Sequence, residues 1–296
     1  MSDSLPPHNR LSWLKRVELV GLPLLLVVSL WGGAVLFFTD IRDAFRQPVA
    51  VAEHQPADGA RLFRQNCTYC HGERGEGNGI ASLTIKARYF GAEPYKFTDT
   101  QGTKIPTDDA LIATLKRGIE GSSMPSFAHL RDDELQALVT HLRGLTRKGM
   151  YEQLTRKAMK DFDDGGDEPN VVAIAAKTDD LCKVGTLMAI PKEFRGSDLS
   201  SITAGRTLFL AQCASCHGPE GLGNGLQVKD LKNDNGTPAH PRNLTSGVFK
   251  GGRDKQHLYT RLALGIPGTP MPALPAGTPQ TDADNLINYV LSLSGE

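Results

Sequence analysis

Cys67-Thr68-Tyr69-Cys70-His71 recurs 146 residues later as Cys213-Ala214-Ser215-Cys216-His217. Cys-x-x-Cys-His is the attachment signature of c-type haem, and the chemistry explains the spacing. Two thiols about one helical turn apart can each form a thioether to one haem vinyl group. The adjacent His is then carried under the iron as a ligand. Two other uses of paired cysteines are weaker. A thioredoxin-like dithiol belongs beside a strand–helix pattern. A four-cysteine zinc site needs the pairs to converge, and here they stand 146 residues apart.

The repetition extends on both sides of the motif. Asp58-Gly59-Ala60-Arg61-Leu62-Phe63 precedes the first copy and Ala204-Gly205-Arg206-Thr207-Leu208-Phe209 the second. After them run His71 to Gly79 (HGERGEGNG) and His217 to Gly225 (HGPEGLGNG), at the same offset. A constant offset over such a stretch marks a duplicated domain. Glycines 75, 77, 79, 221, 223 and 225 are expected to serve turns, and flat packing on a haem edge is a further use.

With these residues in place, each half resembles the class I cytochrome c family. Gly59 with Phe63, and Gly205 with Phe209, look like that family's N-terminal helix, each pair sharing one helical face. A glycine there lets a second helix approach closely. The family's C-terminal helix crosses at that point, usually with an aromatic ring. Asn285 to Leu291 fits it in the second repeat, with Tyr289 as the ring. Glu134 to Leu142 fits it in the first, with His141 in the ring's place. Asp132 and Asp282 read as N-cap or first-turn residues of these helices. Asp108–Gly118 and Lys255–Gly265 read as helices leading into the loops of Met124 and Met271.

Those methionines lie in matching Met-Pro contexts, 53 residues after His71 and 54 after His217. The resemblance implies that each is the distal ligand, giving two covalently bound haem c groups. The cofactor would be held by Cys67, Cys70, Cys213 and Cys216, with iron ligands His71, Met124, His217 and Met271. Bis-His ligation through His129 or His141 is the alternative in the first domain. A thioether ligand favours Fe(II) relative to a second His, so relatively high potentials are expected.

Leu19 to Phe38 is 20 residues without a charge. A helix of that length spans roughly 30 Å, the thickness of a bilayer's hydrocarbon core. Trp13 precedes it where an interfacial ring belongs. The stretch reads as an uncleaved anchor; the alternative, a signal peptide cut near Ala50-Val51-Ala52, would leave the cleavage site far from the apolar core. Arg10, Lys15 and Arg16 before the span, against Arg42 and Arg46 after it, give a small positive-inside bias. In the family resembled, haem c is attached outside the cytoplasmic membrane, which agrees. The expected placement is the cytoplasmic membrane, with the C-terminal domains facing the periplasm or its equivalent.

The fold class expected is mainly α: one N-terminal transmembrane helix followed by two class I cytochrome c domains. The boundaries are a cytoplasmic tail at 1–18, the anchor at 19–38, a tether at 39–56, domains at 57–148 and 201–296, and a connector at 149–200. Arg147 to Asp161 has helical character, and Asp161 to Asn170 is an acidic, glycine-bearing break. Cys182 is the odd thiol, inert or in an intermolecular bridge.

Net charge bounds the partners. The 33 Lys and Arg balance the 33 Asp and Glu of this 296-residue chain, which excludes nucleic-acid binding by bulk positive charge. A mean hydropathy of −0.28 excludes a polytopic membrane protein. Lys96, Lys104, Lys116, Arg117, Lys250, Arg253, Lys255 and Arg261 read as a solvated face, or as basic rims for an acidic partner. The function expected is electron transfer rather than catalysis, in partnership with a respiratory complex of the terminal-oxidase or cytochrome bc type. The alternative is a dihaem cytochrome c peroxidase with one open iron. Aromatic residues are only 6% of the chain, few for two small domains, and two haems would supply the missing core.

Overall fold

Residues 57–91, 93–102 and 105–295 are described by a computed structural model. The apolar span Leu19–Phe38, the tail and tether on either side of it, and Lys104 lie outside them. Among the described residues, no helix is long and apolar enough to cross a membrane.

Each repeat is organised by two helices that cross at a glycine. In the first, α1 (Gly59–Asn66) is started by Asp58, whose carboxylate accepts from the backbone N–H of Ala60 at 2.9 Å and of Arg61 at 3.2 Å. It buries Gly59, Leu62 and Phe63 against α4 (Asp132–Asp163). A Cβ on Gly59 would lie 2.0 Å from the carbonyl oxygen of Ala137. In the second, α6 (Leu199–Gln212) is capped by Asp198 and crosses α9 (Gln280–Ser292). There a Cβ on Gly205 would lie 1.9 Å from Asn285 O. The rings follow one rule in both repeats: Phe63 meets His141 and Phe209 meets Tyr289, each with centroids 5.2 Å apart and tilted.

Between these helices lie α2 (Thr68–His71) and α3 (Asp108–Arg117) in the first repeat, and α7 (Ala214–His217) and α8 (Lys255–Leu264) in the second. Asp132 and Asp282 fall in the first turns of α4 and α9, whose N-cap positions are Arg131 and Pro279. Each repeat has its own apolar cluster. Leu62, Phe63, Leu111, Leu115, Leu135, Leu138 and Val139 anchor one, and Phe209, Phe249, Leu258, Leu286, Ile287 and Tyr289 the other.

The residues between the repeats are divided between them. Helix α4 runs without a break through residue 148 to Asp163. Helix α5 (Val171–Leu181) folds back on α4 and buries Ile174 and Thr178. Strand β2 (Thr186–Leu187) pairs antiparallel with β1 (Thr100–Gln101) of the first repeat. Beyond it the chain changes sides. The Arg195 backbone N–H donates to Asp284 Oδ2 at 3.1 Å, and Asn288 Nδ2 donates to Gly196 O at 2.9 Å and to Ser201 Oγ at 2.8 Å. Residues 57–296 thereby form one compact unit.

Candidate functional site

The two Cys-x-x-Cys-His segments are single helical turns, α2 and α7, of the same construction. His71 N–H donates to Cys67 O at 2.8 Å and Cys70 N–H to the same oxygen at 3.2 Å; His217 and Cys216 repeat both distances to Cys213 O. The glycine-rich loop then folds back over the turn. Gly77 and Gly79 donate to His71 O and Cys70 O at 2.8 and 3.2 Å, and Gly223 and Gly225 do the same to His217 O and Cys216 O. Gly72 makes this return possible. Its φ is +76°, and a Cβ there would lie 2.0 Å from Asn78 Oδ1. The expected turn role of these glycines is what the loop shows.

The thiols do not suit disulfide exchange. Burial, then the second cysteine, pushes Cys67 up to about 12 and Cys213 up to about 11, whereas a reactive dithiol needs a low-pKa thiolate. Nor do the pairs converge: among the described residues, no group of three or more His, Cys, Asp or Glu side chains could hold a metal ion.

Each histidine is oriented from behind. His71 Nδ1 lies 3.1 Å from the backbone carbonyl of Arg88. A carbonyl only accepts, so Nδ1 carries the proton and Nε2 presents its lone pair. An outer partner of this kind fixes a metal-binding imidazole. Phe90 stacks on the ring at 4.7 Å. In the second repeat His217 Nδ1 is buried without a bond of good geometry, and the backbone carbonyl of Arg242 is the group that acts on it. Burial lowers the pKa of both rings, keeping them neutral as ligation requires.

The methionine loops match bond for bond. Ile119 N–H donates to Met124 O and Ile266 N–H to Met271 O, both at 3.1 Å. Met124 N–H donates to Ser122 Oγ at 3.2 Å and Met271 N–H to Thr269 Oγ1 at 3.3 Å. Each loop is tied back to the helix before it, Phe127 N–H to Leu115 O at 2.9 Å and Leu274 N–H to Leu262 O at 2.7 Å. Those helices end at Gly118 and Gly265, the bounds expected for the helices that lead into these loops. His141 packs on Phe63 at the helix crossing instead.

The surroundings suit a large apolar body bonded to the cysteines. Ile80 follows Gly79 directly and is 77% exposed; Leu226, at the same place in the second repeat, is 96% exposed. Tyr69, between the first pair of cysteines, and Leu83 are exposed too. Large apolar side chains clustered at one motif mark a surface that something covers.

Two functional residues escaped the sequence reading. Arg88 and Arg242 are counterparts, since Phe90 N–H donates to Gly75 O at 2.8 Å and Leu244 N–H to Gly221 O at 2.7 Å. Their separation is 154 residues, not 146, because the loop before Arg242 is longer. The shared signal was the Gly75/Gly221 register, which the insertion hides.

The model of the cytochrome c oxidase, cbb3-type, subunit III family matches residues 54–142, and that of the cytochrome c family residues 202–294. The cbb3-type cytochrome c oxidase subunit FixP of Azorhizobium caulinodans is 27% identical over 180 residues, covering 60% of this chain and 55% of that protein. The chain thus spans about half the length of this curated relative. Among solved structures, a chain of the Kuenenia stuttgartiensis reducing HAO-like protein complex Kustc0457/Kustc0458 is 27% identical with a TM-score of 0.62, covering 79% of this chain and 94% of that one. Both repeats are matched by cytochrome c-type families and both are built on one plan, so the chain carries two cytochrome c-type domains and matches a duplicated class I cytochrome c.

Proposed function

We propose that this chain is a membrane-anchored dihaem cytochrome c that relays single electrons within a respiratory complex. Its cytochrome c domains imply covalently bound haem c. Cys67 and Cys70 would hold one group, with His71 and Met124 on its iron; Cys213 and Cys216 would hold the other, with His217 and Met271. When bound, haem iron supplies a one-electron couple, and the protein sets its ligands and surroundings. The observation that carries the reading is the paired construction of the methionine loops. Two loops with the same hydrogen bonds before two equivalent helices serve two equivalent ligands.

The residues have distinct tasks. The Arg88 carbonyl fixes the tautomer of His71, and the Arg242 carbonyl faces His217 in the same way. Gly118 and Gly265 turn the chain so that the methionine loops fold back on Leu115 and Leu262. Ile80 and Leu226 supply apolar cover that excludes water. The domains are residues 57–148 and 201–296, joined by 149–200.

Leu19 to Phe38 anchors the chain in the cytoplasmic membrane, with both domains on the periplasmic side or its equivalent. FixP is named as a cbb3-type oxidase subunit, which supports an oxidase as the assembly, with a cytochrome bc complex second. A dihaem peroxidase is disfavoured because it needs an open iron, and both methionine loops are complete. Mild solubilisation of native membranes, followed by identification of what co-purifies, tests the proposal. An oxidase or quinol-oxidising core is expected. Recovery of the full-length chain in the soluble fraction, without a redox partner, would overturn it.

A further inference from the structure

The outer part of the α4–α5 hairpin lies beyond both family models, which match residues 54–142 and 202–294. Helix α4 continues to Asp163, and α5 returns along it. The base of the hairpin is joined: Arg147 pairs with Asp179 at 2.6 Å, and Ile174 and Thr178 are buried. The tip is a closed helix end. Gly165, at φ +93°, donates its N–H to Phe162 O and Gly166 donates to Asp161 O, both at 2.9 Å. Yet this ordered tip leaves Met159, Phe162, Val171 and Val172 exposed, Val172 by 75%. All five acids of residues 161–168 are exposed as well. Asp161 and Asp163 stand in the last turn of α4, where the helix dipole disfavours negative charge. Among the described residues, no ion pair joins the two helices nearer the tip than Arg147–Asp179. Exposed apolar side chains rimmed by charge mark an interaction surface.

The order of the charges identifies the partner. Arg156, Met159, Lys160 and Asp163 stand at i, i+3, i+4 and i+7, so they share one face of α4. A cation opens this face, an acid closes it, and an apolar side chain and a long lysine stem lie between. Turned end for end, the face matches itself. We propose that the hairpin tip is a docking surface for a second copy of this chain, with the two α4 helices antiparallel. A two-fold axis beside Met159 and Lys160 sets Arg156 of each copy opposite Asp163 of the other. The stem of Lys160 then covers Met159, and Arg156 neutralises acids that the dipole disfavours. Every contact is made twice, as a two-fold interface requires. One face supplies both halves of the charge match, which favours a second copy over a foreign protein. A hairpin face is small beside an obligate interface, so association in the micromolar range is expected.

The test is sedimentation of the purified full-length holoprotein across roughly 1–100 μM. Wild type should dimerise reversibly. Arg156→Glu with Lys160→Glu makes the face acidic throughout, and Asp163→Lys with Asp164→Lys makes it basic. Each double variant alone sets like charges opposite one another and should raise the dissociation constant at least about tenfold. An equimolar mixture of the two should recover association, because an acidic copy then meets a basic one. Met159→Ser should weaken the dimer too, and Lys229→Glu, in the second repeat, should leave it unchanged. Haem content equal to wild type shows that each variant has folded. A wild type that stays monomeric at the highest concentration overturns the proposal. So does a dimer that ignores both double variants, or a mixture that fails to recover. A monomeric wild type whose co-purifying foreign protein is lost in Met159→Ser also overturns it, and assigns the face to that protein instead.

Discussion

Met271→Ala should open one of the two haems. The expected result is a sample in which about half the haem becomes high-spin and binds carbon monoxide when reduced, while the rest keeps its low-spin spectrum. Met124→Ala should do the same to the other half, and the double variant to all of it. Met271 and Met124 occupy loops with the same pattern of hydrogen bonds, so neither position should behave differently in kind. Both wild-type irons should exclude carbon monoxide. A reduced wild type that binds it, or turns over peroxide, would favour the peroxidase reading. Absence of any spectral change in a variant would remove that methionine from the ligand set, and His129 would be the next residue to replace in the first domain.

The helix crossings should give the largest stability losses. Gly59→Ala and Gly205→Ala each drive a methyl group into a backbone carbonyl, at 2.0 and 1.9 Å for ideal geometry. Backbone cannot yield as a flexible side chain does, so the helices must separate. Overpacking of this kind costs about 1–3 kcal/mol or more, or roughly 5–20 °C of melting temperature for a domain of this size. Gly144→Ala should have the opposite sign. Gly144 lies mid-helix in α4 with nothing within 4 Å of an added Cβ, and alanine there favours the helix by about 0.5–1 kcal/mol. Thermal melts of the three variants check the contrast. Equal effects at Gly59 and Gly144 would mean that helix propensity, not the crossing, decides the outcome.

These crossings were legible in the sequence through the family it resembles, whose two helices meet at a glycine. A glycine four residues before a phenylalanine, repeated at an offset of 146, carried the resemblance to class I cytochromes c, and that resemblance implied the crossing. His141 took the place of the ring and still packs on Phe63, so position mattered more than side-chain type. The cysteine turns were legible because their chemistry is tied to fixed local spacing, and the methionine loops because their two Met-Pro contexts match and the resembled family carries a loop at that place.

What escaped the reading depends on where distant backbone comes to rest. Gly91 and Gly149 touch so closely that a Cβ on either would lie 2.4 Å from the other's Cα. No local pattern announces that contact. Arg147 to Asp161 read as helical, but its continuity with the helix before it, and the division of the connector between the repeats, follow from packing of α5 on α4 and from the Arg195–Asp284 and Asn288 bonds. The basic residues show the same limit. Arg117 and Arg261 read as solvated rims on a linear chain, but folding brings them together between domains. Charge counts say how many cations exist, and only the fold says which of them face one another.

The most direct measurement is the number of haems bound covalently per chain, by pyridine haemochrome absorbance against protein mass. Two thioether-bound haems per chain are expected, one for each Cys-x-x-Cys-His turn. Replacing Cys213 and Cys216 together by Ser should leave one. A single haem in the wild type would contradict the duplicated site, and none would contradict the haem reading altogether.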